Sequence, residues 1–117
     1  MTTMLTKKDF LEKVFNFEKN KEWKFEGDVP CIIDFYADWC APCKMMEPAV
    51  EAFADAYIQK VSVFKLNVDE NPMIAAQFHI MSIPTMLVFK NGKPVTSIIG
   101  AVSLKKLVEK MKPILED

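Results

Sequence analysis

The apolar residues of the chain fall into blocks of two different periods. From Lys7 to about Lys21, Phe10, Leu11, Val14, Phe15 and Phe17 recur at helical spacing. "CIIDFYA", residues 31–37, is a continuous apolar run interrupted by one acid, as in a strand covered on both faces. A helix is predicted from Cys40 to about Gln59, with Phe53, Ala56 and Tyr57 on one side. Pro48 inside it removes a backbone donor and predicts a kink. "VSVFKLNV", residues 61–68, reads as a second strand rich in β-branched residues. "NPMIAAQFH" reads as a short helix, which Asn71 can cap and Pro72 can begin. "TMLVFKNGKPVTSIIG" is a hairpin turning at Asn91-Gly92. The last helix starts at Ser103, with Leu104, Leu107, Val108 and Met111 inward and Pro113 near its end.

With a short extended start, "TTML", the order is β-α-β-α-β-α-β-β-α. The strand–helix–strand unit from Cys31 to Val68 predicts a right-handed crossover between parallel strands, and the hairpin adds an antiparallel pair. The expected fold is α/β: a mixed central sheet with helices on both faces.

A chain of 117 residues fits one domain, 1–117, and half of it is hydrophobic, enough for a core. The charges nearly cancel, 15 basic against 16 acidic, so no nucleic-acid or anionic-membrane surface is expected. The longest apolar stretch, "IMSIPTMLVF", is too short and interrupted to span a bilayer. "MTTMLTKKDF" lacks the apolar core of a secretory signal, and Met1 argues against one already removed. The expected location is the cytoplasm, where thiols stay reduced.

Three cysteines, Cys31, Cys40 and Cys43, make a poor disulfide framework, and a Cys40–Cys43 bond would close only a tiny loop. A zinc site usually needs four ligands, of which one CxxC supplies two. Cys31 and His79 are the other candidates, but Cys31 lies about 20 Å back along its strand, so no metal is expected. The pair falls instead where a central strand ends and a helix begins, the place where sites gather in open α/β sheets. Unpaired N–H groups and the positive helix end stabilise a thiolate there. The pKa should drop below the free value of about 8.5, which leaves roughly 3% thiolate at pH 7. Residues three apart on a helix have Cβ atoms about 5–6 Å apart, and a disulfide wants about 3.8 Å. A small adjustment at the helix start closes that gap, so the bond can form and break without disturbing the fold. Pro42 helps hold the turn and pushes Ala41 away from helical backbone.

Asp34 stands among Ile32, Ile33, Phe35 and Tyr36. Burial raises the pKa of such a carboxyl and makes it a candidate general acid or base. Alternation places it on the face of Ile32 and Tyr36. If the Cys40 helix packs over that face, Asp34 lies beneath Cys43 and can take its proton. Lys65, equally out of place in "VFKLN", either pairs with Asp34 or snorkels to water from an edge.

Together "IIDFYADWCAPCK", "VFKLNVDENP", "SIPT" and "IIGA" resemble the thioredoxin family, in its order and over about Leu5 to Leu115. The resemblance implies a thioredoxin fold and a protein-disulfide reductase with no bound cofactor. Cys40 would be the exposed nucleophile that forms a mixed disulfide with a substrate protein, and Cys43 would then attack Cys40 and release it. Asp34 would accept a proton, with Lys65 beside it, and Pro84 would be a cis-proline facing the sulfurs. The Ile83 backbone would bind an extended substrate segment. Trp39, Ile83, Gly100 and Ala101 would frame an apolar docking surface, with Ala41 and Pro42 at the active-site turn. Electrons would come from a flavin-dependent reductase drawing on NADPH, and a monomer is expected. The chain departs from the family pattern at Ala41, His79 and Ser82, where glycines are common, and at Tyr36, where tryptophan is common. Its segment between first helix and central strand is also longer. Ala41 bears on the reduction potential, because 30 mV corresponds to about 1.4 kcal/mol for two electrons.

Several residues have plainer readings. His79 is a titrating group or an ordinary surface residue. Met45, Met46 and Met86 read as core filler rather than a soft binding surface, and Cys31 as a buried inert thiol rather than a regulatory one. Lys44 and Glu47 either tune the thiolate or belong to a solvated helix face. No role is read for Trp23. Two rival functions remain: an oxidase or isomerase of the same fold, and a non-enzymatic module with structural sulfurs.

Overall fold

A computed structural model describes residues 2–4, 6, 29–90 and 93–115. The helix expected over Lys7–Lys21, Trp23, most of the long connection and the Asn91-Gly92 turn lie outside the described residues. Five strands are described: β1 (Thr3–Met4), β2 (Cys31–Tyr36), β3 (Ser62–Asn67), β4 (Thr85–Lys90) and β5 (Lys93–Ile99). They form one sheet in the order β1-β3-β2-β4-β5, with β2 at its centre. Three helices accompany them: α1 (Ala41–Ala56), α2 (Pro72–Gln77) and α3 (Leu104–Leu115).

β2 runs parallel to β3 and antiparallel to β4, and β4 pairs antiparallel with β5. The crossover and the hairpin thus have the expected directions. All six residues of β2 are buried, because both faces of the sheet are covered. Ile32 points to the side of α1 and α3, where it packs with Met46, Val50, Phe53, Leu107 and Met111. Cys31, Ile33 and Phe35 point to the other side, with Ile74 of α2. The mixed sheet with helices on both faces is the one the hydrophobic pattern implies.

Several boundaries and faces differ from expectation. α1 ends at Ala56, not Gln59, and residues 57–60 turn back, with the Val61 N–H donating to the Tyr57 carbonyl. Ala56 is exposed, and Ala54 takes the inward place beside Phe53. Met45 is 80% exposed while Met46 and Met86 are buried, because neighbouring helix positions face different ways. Leu104, the first residue of α3, is exposed rather than inward. Ala41 is the first helical residue despite the proline after it: Cys40 takes the extended backbone instead (φ −86°, ψ 104°).

Candidate active site

The chain leaves the end of β2 through Ala37–Trp39 and enters α1 through Cys40. Cys40 is the N-cap, and its Sγ accepts the Cys43 N–H at 3.2 Å. The sulfurs are joined in a disulfide with a Cα–Cα distance of 5.3 Å, inside the usual range. The bond therefore closes within the first turn of an intact helix.

Cys40 was expected to be exposed, and it is not: Cys40 is 3% and Cys43 5% exposed. Tyr36, Ala37, Val68 and Ile83 pack around the pair. Ala41 and Pro42 are exposed beside it. Trp39 is 71% exposed, and its Nε1–H donates to Asp69 Oδ2 at 2.8 Å. Asp69 is itself held by its N–H on Asn67 Oδ1 at 2.9 Å.

The Ile83–Pro84 peptide bond is cis. Pro84 is buried, and its carbonyl accepts the Gly100 N–H at 2.9 Å, which ties the turn before β4 to the end of β5. Gly100 has φ +89°, and no atom lies within 4 Å of where its Cβ would be. Backbone conformation, not space, calls for glycine there.

Asp34 lies on the α1 face of β2, as alternation requires, opposite Lys65 on β3. It lines a small cavity of about 30 Å³ together with Cys43, Glu47 and Lys65, room enough for a water molecule. Its side chain is buried, and Oδ1 has no hydrogen-bond partner among the described residues. Burial pushes its carboxyl up to about 6, against the charge of Lys65, which lowers it, and with that of Glu47, which raises it. The structure thus brings the expected proton acceptor and Cys43 to one cavity.

The pattern left Lys65 either paired with Asp34 or snorkelling from an edge. It makes no ion pair with Asp34 among the described residues, and β3 is not an edge but lies between β1 and β2. The Lys65 Nζ donates to Glu47 Oε1 at 3.0 Å and sits 4.7 Å from the centre of the Tyr36 ring. Burial pulls its ammonium down, but the hydrogen bond and charge of Glu47, helped by Tyr36 and Asp34, leave it above its ordinary value. Glu47 is the residue that sequence reasoning undervalued. Its signal was its place four residues after Cys43, one turn along the same side of α1.

Trp39 and Ile83 border a common apolar hollow of about 330 Å³, with Val68, Ile80 and Met81. Gly100 and Ala101, expected at the docking surface, are not among its lining residues. Met81, 93% exposed, and Ile80 were not foreseen there, since nothing in their spacing marks them. Cys31 lies on the opposite face of the sheet, where burial pushes its thiol up. No helix among the described residues is long and apolar enough to cross a membrane.

A dithiol–disulfide pair that caps a helix after the central strand, in one cavity with a buried carboxyl and packed by the Ile83 that precedes a cis-proline, defines a thiol–disulfide oxidoreductase. The family model described as Thioredoxin matches residues 2–113. The chain is 46% identical over 99 residues to a thioredoxin of Alicyclobacillus acidocaldarius subsp. acidocaldarius, covering 85% of this chain and 94% of that protein. It is 44% identical over 93 residues to thioredoxin 1 of Nostoc sp., covering 77% and 87%. It is 47% identical over 95 residues to the chloroplastic M-type thioredoxin of Spinacia oleracea, covering 81% of this chain and 52% of that protein. The chain belongs to the thioredoxin family. It is a protein-disulfide reductase whose couple is Cys40–Cys43, and it works on disulfide-containing proteins and with a reductase.

Proposed function

We propose that residues 1–117 act as one domain in which Cys40 is the attacking sulfur and Cys43 the resolving one. In the reduced protein the Cys40 thiolate attacks one sulfur of a substrate disulfide, and the other leaves as a thiolate. Asp34 accepts the Cys43 proton. The Cys43 thiolate then attacks Cys40 Sγ, which closes the Cys40–Cys43 bond and expels the second substrate thiolate. Two electrons pass to the substrate. A flavin-dependent reductase returns them from NADPH. Trp39, Ala41, Pro42, Ile83, Gly100 and Ala101 dock the substrate, whose extended segment bonds the Ile83 backbone beside cis-Pro84. Lys65 acts on Asp34 through its charge. The protein works as a monomer in the cytoplasm, with no bound cofactor or metal.

The observation that carries this reading is the Cys43 N–H on Cys40 Sγ at 3.2 Å, at the positive end of a sixteen-residue helix. That donor and that dipole favour negative charge on Cys40 rather than on Cys43. The test is turnover of a disulfide-linked protein with a thioredoxin reductase and NADPH. Cys40→Ser should abolish turnover, and Cys43→Ser should trap the mixed disulfide. Equal turnover by wild type and Cys40→Ser refutes the assignment.

A further inference from the structure

The family likeness accounts for a carboxyl under the sulfurs and a lysine near it, but not for the ammonium's partner. Lys65 Nζ reaches Glu47 Oε1 on α1 at 3.0 Å, over the Tyr36 ring. Asp34, opposite Lys65 across the paired strands, keeps Oδ1 buried and unbonded, and no ion pair joins the two among the described residues. Three elements therefore meet in one cavity: Asp34 on β2, Lys65 on β3 and Glu47 on α1.

We propose that Glu47 is a positioning residue for the resolving step: it holds the Lys65 ammonium off Asp34, and so leaves Asp34 able to take a proton from Cys43. This rests on the reading of Asp34 as proton acceptor. The ionisable groups around the cavity besides Asp34 are Tyr36, Asp38, Cys43, Lys44, Glu47 and Lys65, while β4 presents only Met86 opposite Asp34. Among them Lys65 and Glu47 act most on the Asp34 carboxyl, in opposite directions. A lysine bonded directly to Asp34 would hold it ionised and make it a weak base. A lysine bonded to Glu47 spends its charge there, and the anion of Glu47 adds repulsion. Both effects favour a proton on Asp34.

Glu47 is more than half exposed, so its replacement should leave the fold intact. In Glu47→Gln the anion is gone and Lys65 is free to turn to Asp34. The Asp34 titration midpoint, followed by carboxyl carbon NMR in the reduced protein, should fall by about half a unit to one unit. The acid limb of the pH profile for disulfide reduction should move down with it. Glu47→Asp, which keeps the charge, should restore most of the midpoint. An unmoved midpoint in Glu47→Gln overturns the inference. A separate arm tests the reading beneath it: if Asp34→Asn reduces substrate at the wild-type rate across the pH range, Asp34 is not the proton acceptor.

Discussion

At Asp34 burial and charge pull in opposite directions, and burial wins. The carboxyl has an ordinary value of 3.8 and is pushed up to about 6 in the fold. Below pH 3.8 it is protonated in both folded and unfolded chains, and its stabilising contribution is complete. As pH rises through about 6 the folded chain must ionise a buried group, and that contribution is lost. The loss amounts to about 3 kcal/mol. Asp34→Asn, neutral and nearly the same shape, should therefore unfold at higher urea than wild type at pH 8, by about 2–3 kcal/mol. The advantage should shrink to nothing near pH 4. Equal stability at pH 8 would contradict a raised carboxyl. Asp34 and Lys65 were legible in the sequence because each is a charge inside an apolar strand pattern. Glu47 was not, because an acid on an amphipathic helix looks like any solvated residue. Its meaning comes from how α1 crosses β3, which pattern alone does not give.

Elements were legible by period, and their ends by chemistry. β2 and β3 read as strands because their apolar runs are short and β-branched; α3 read as a helix because Leu107 and Met111 recur at its spacing. Ser103 was rightly placed at the start of α3, where its Oγ accepts the Lys106 N–H at 3.2 Å. Asn71 was expected to cap α2, but its Nδ2 donates to the Asn67 carbonyl instead. The cis bond at Pro84 came only from the family likeness, since physics gives X–Pro a cis fraction of about 5–6%. The other end of α2 shows what a departure from that likeness costs. The His79 N–H donates to the Ala76 carbonyl and the Ile80 N–H to the Ala75 carbonyl, the paired bonds of a Schellman close. That close needs left-handed backbone at position 79, and His79 supplies it with φ +56°. A side chain there costs about 1–2 kcal/mol, while glycine loses about 0.5–1 kcal/mol in chain entropy. His79→Gly should thus raise stability by about 0.5–1 kcal/mol in urea unfolding, and His79→Ala should not. A loss of stability in His79→Gly would mean that the imidazole makes a contact worth more than the strain.

At the scale of the molecule, the redox couple and the fold share one free energy. If the fold is more stable with the Cys40–Cys43 bond than without it, the folded disulfide is harder to reduce than the same pair in the unfolded chain. Each 1.4 kcal/mol of that difference lowers the potential by about 30 mV. Two effects compete in setting its sign. The α1 N-terminus favours the reduced form, because its dipole and the Cys43 N–H stabilise a thiolate, worth about 0.3–2 kcal/mol. Burial favours the disulfide: Cys40 and Cys43 are 3% and 5% exposed among apolar groups, over a carboxyl whose Oδ1 has no partner among the described residues. An ion is costly in apolar surroundings, so burial trims what the helix end returns to the reduced form. The short loop closed by the bond adds at most about 2 kcal/mol in the same direction. The oxidised protein should therefore outlast the reduced one in urea at pH 7 by about 1–2 kcal/mol. Its potential against glutathione should lie about 20–40 mV below that of the denatured chain. The reverse order, a reduced form more stable than the oxidised, would make the chain an oxidant by the same cycle, and the burial of Cys40 would then have been outweighed by its helix.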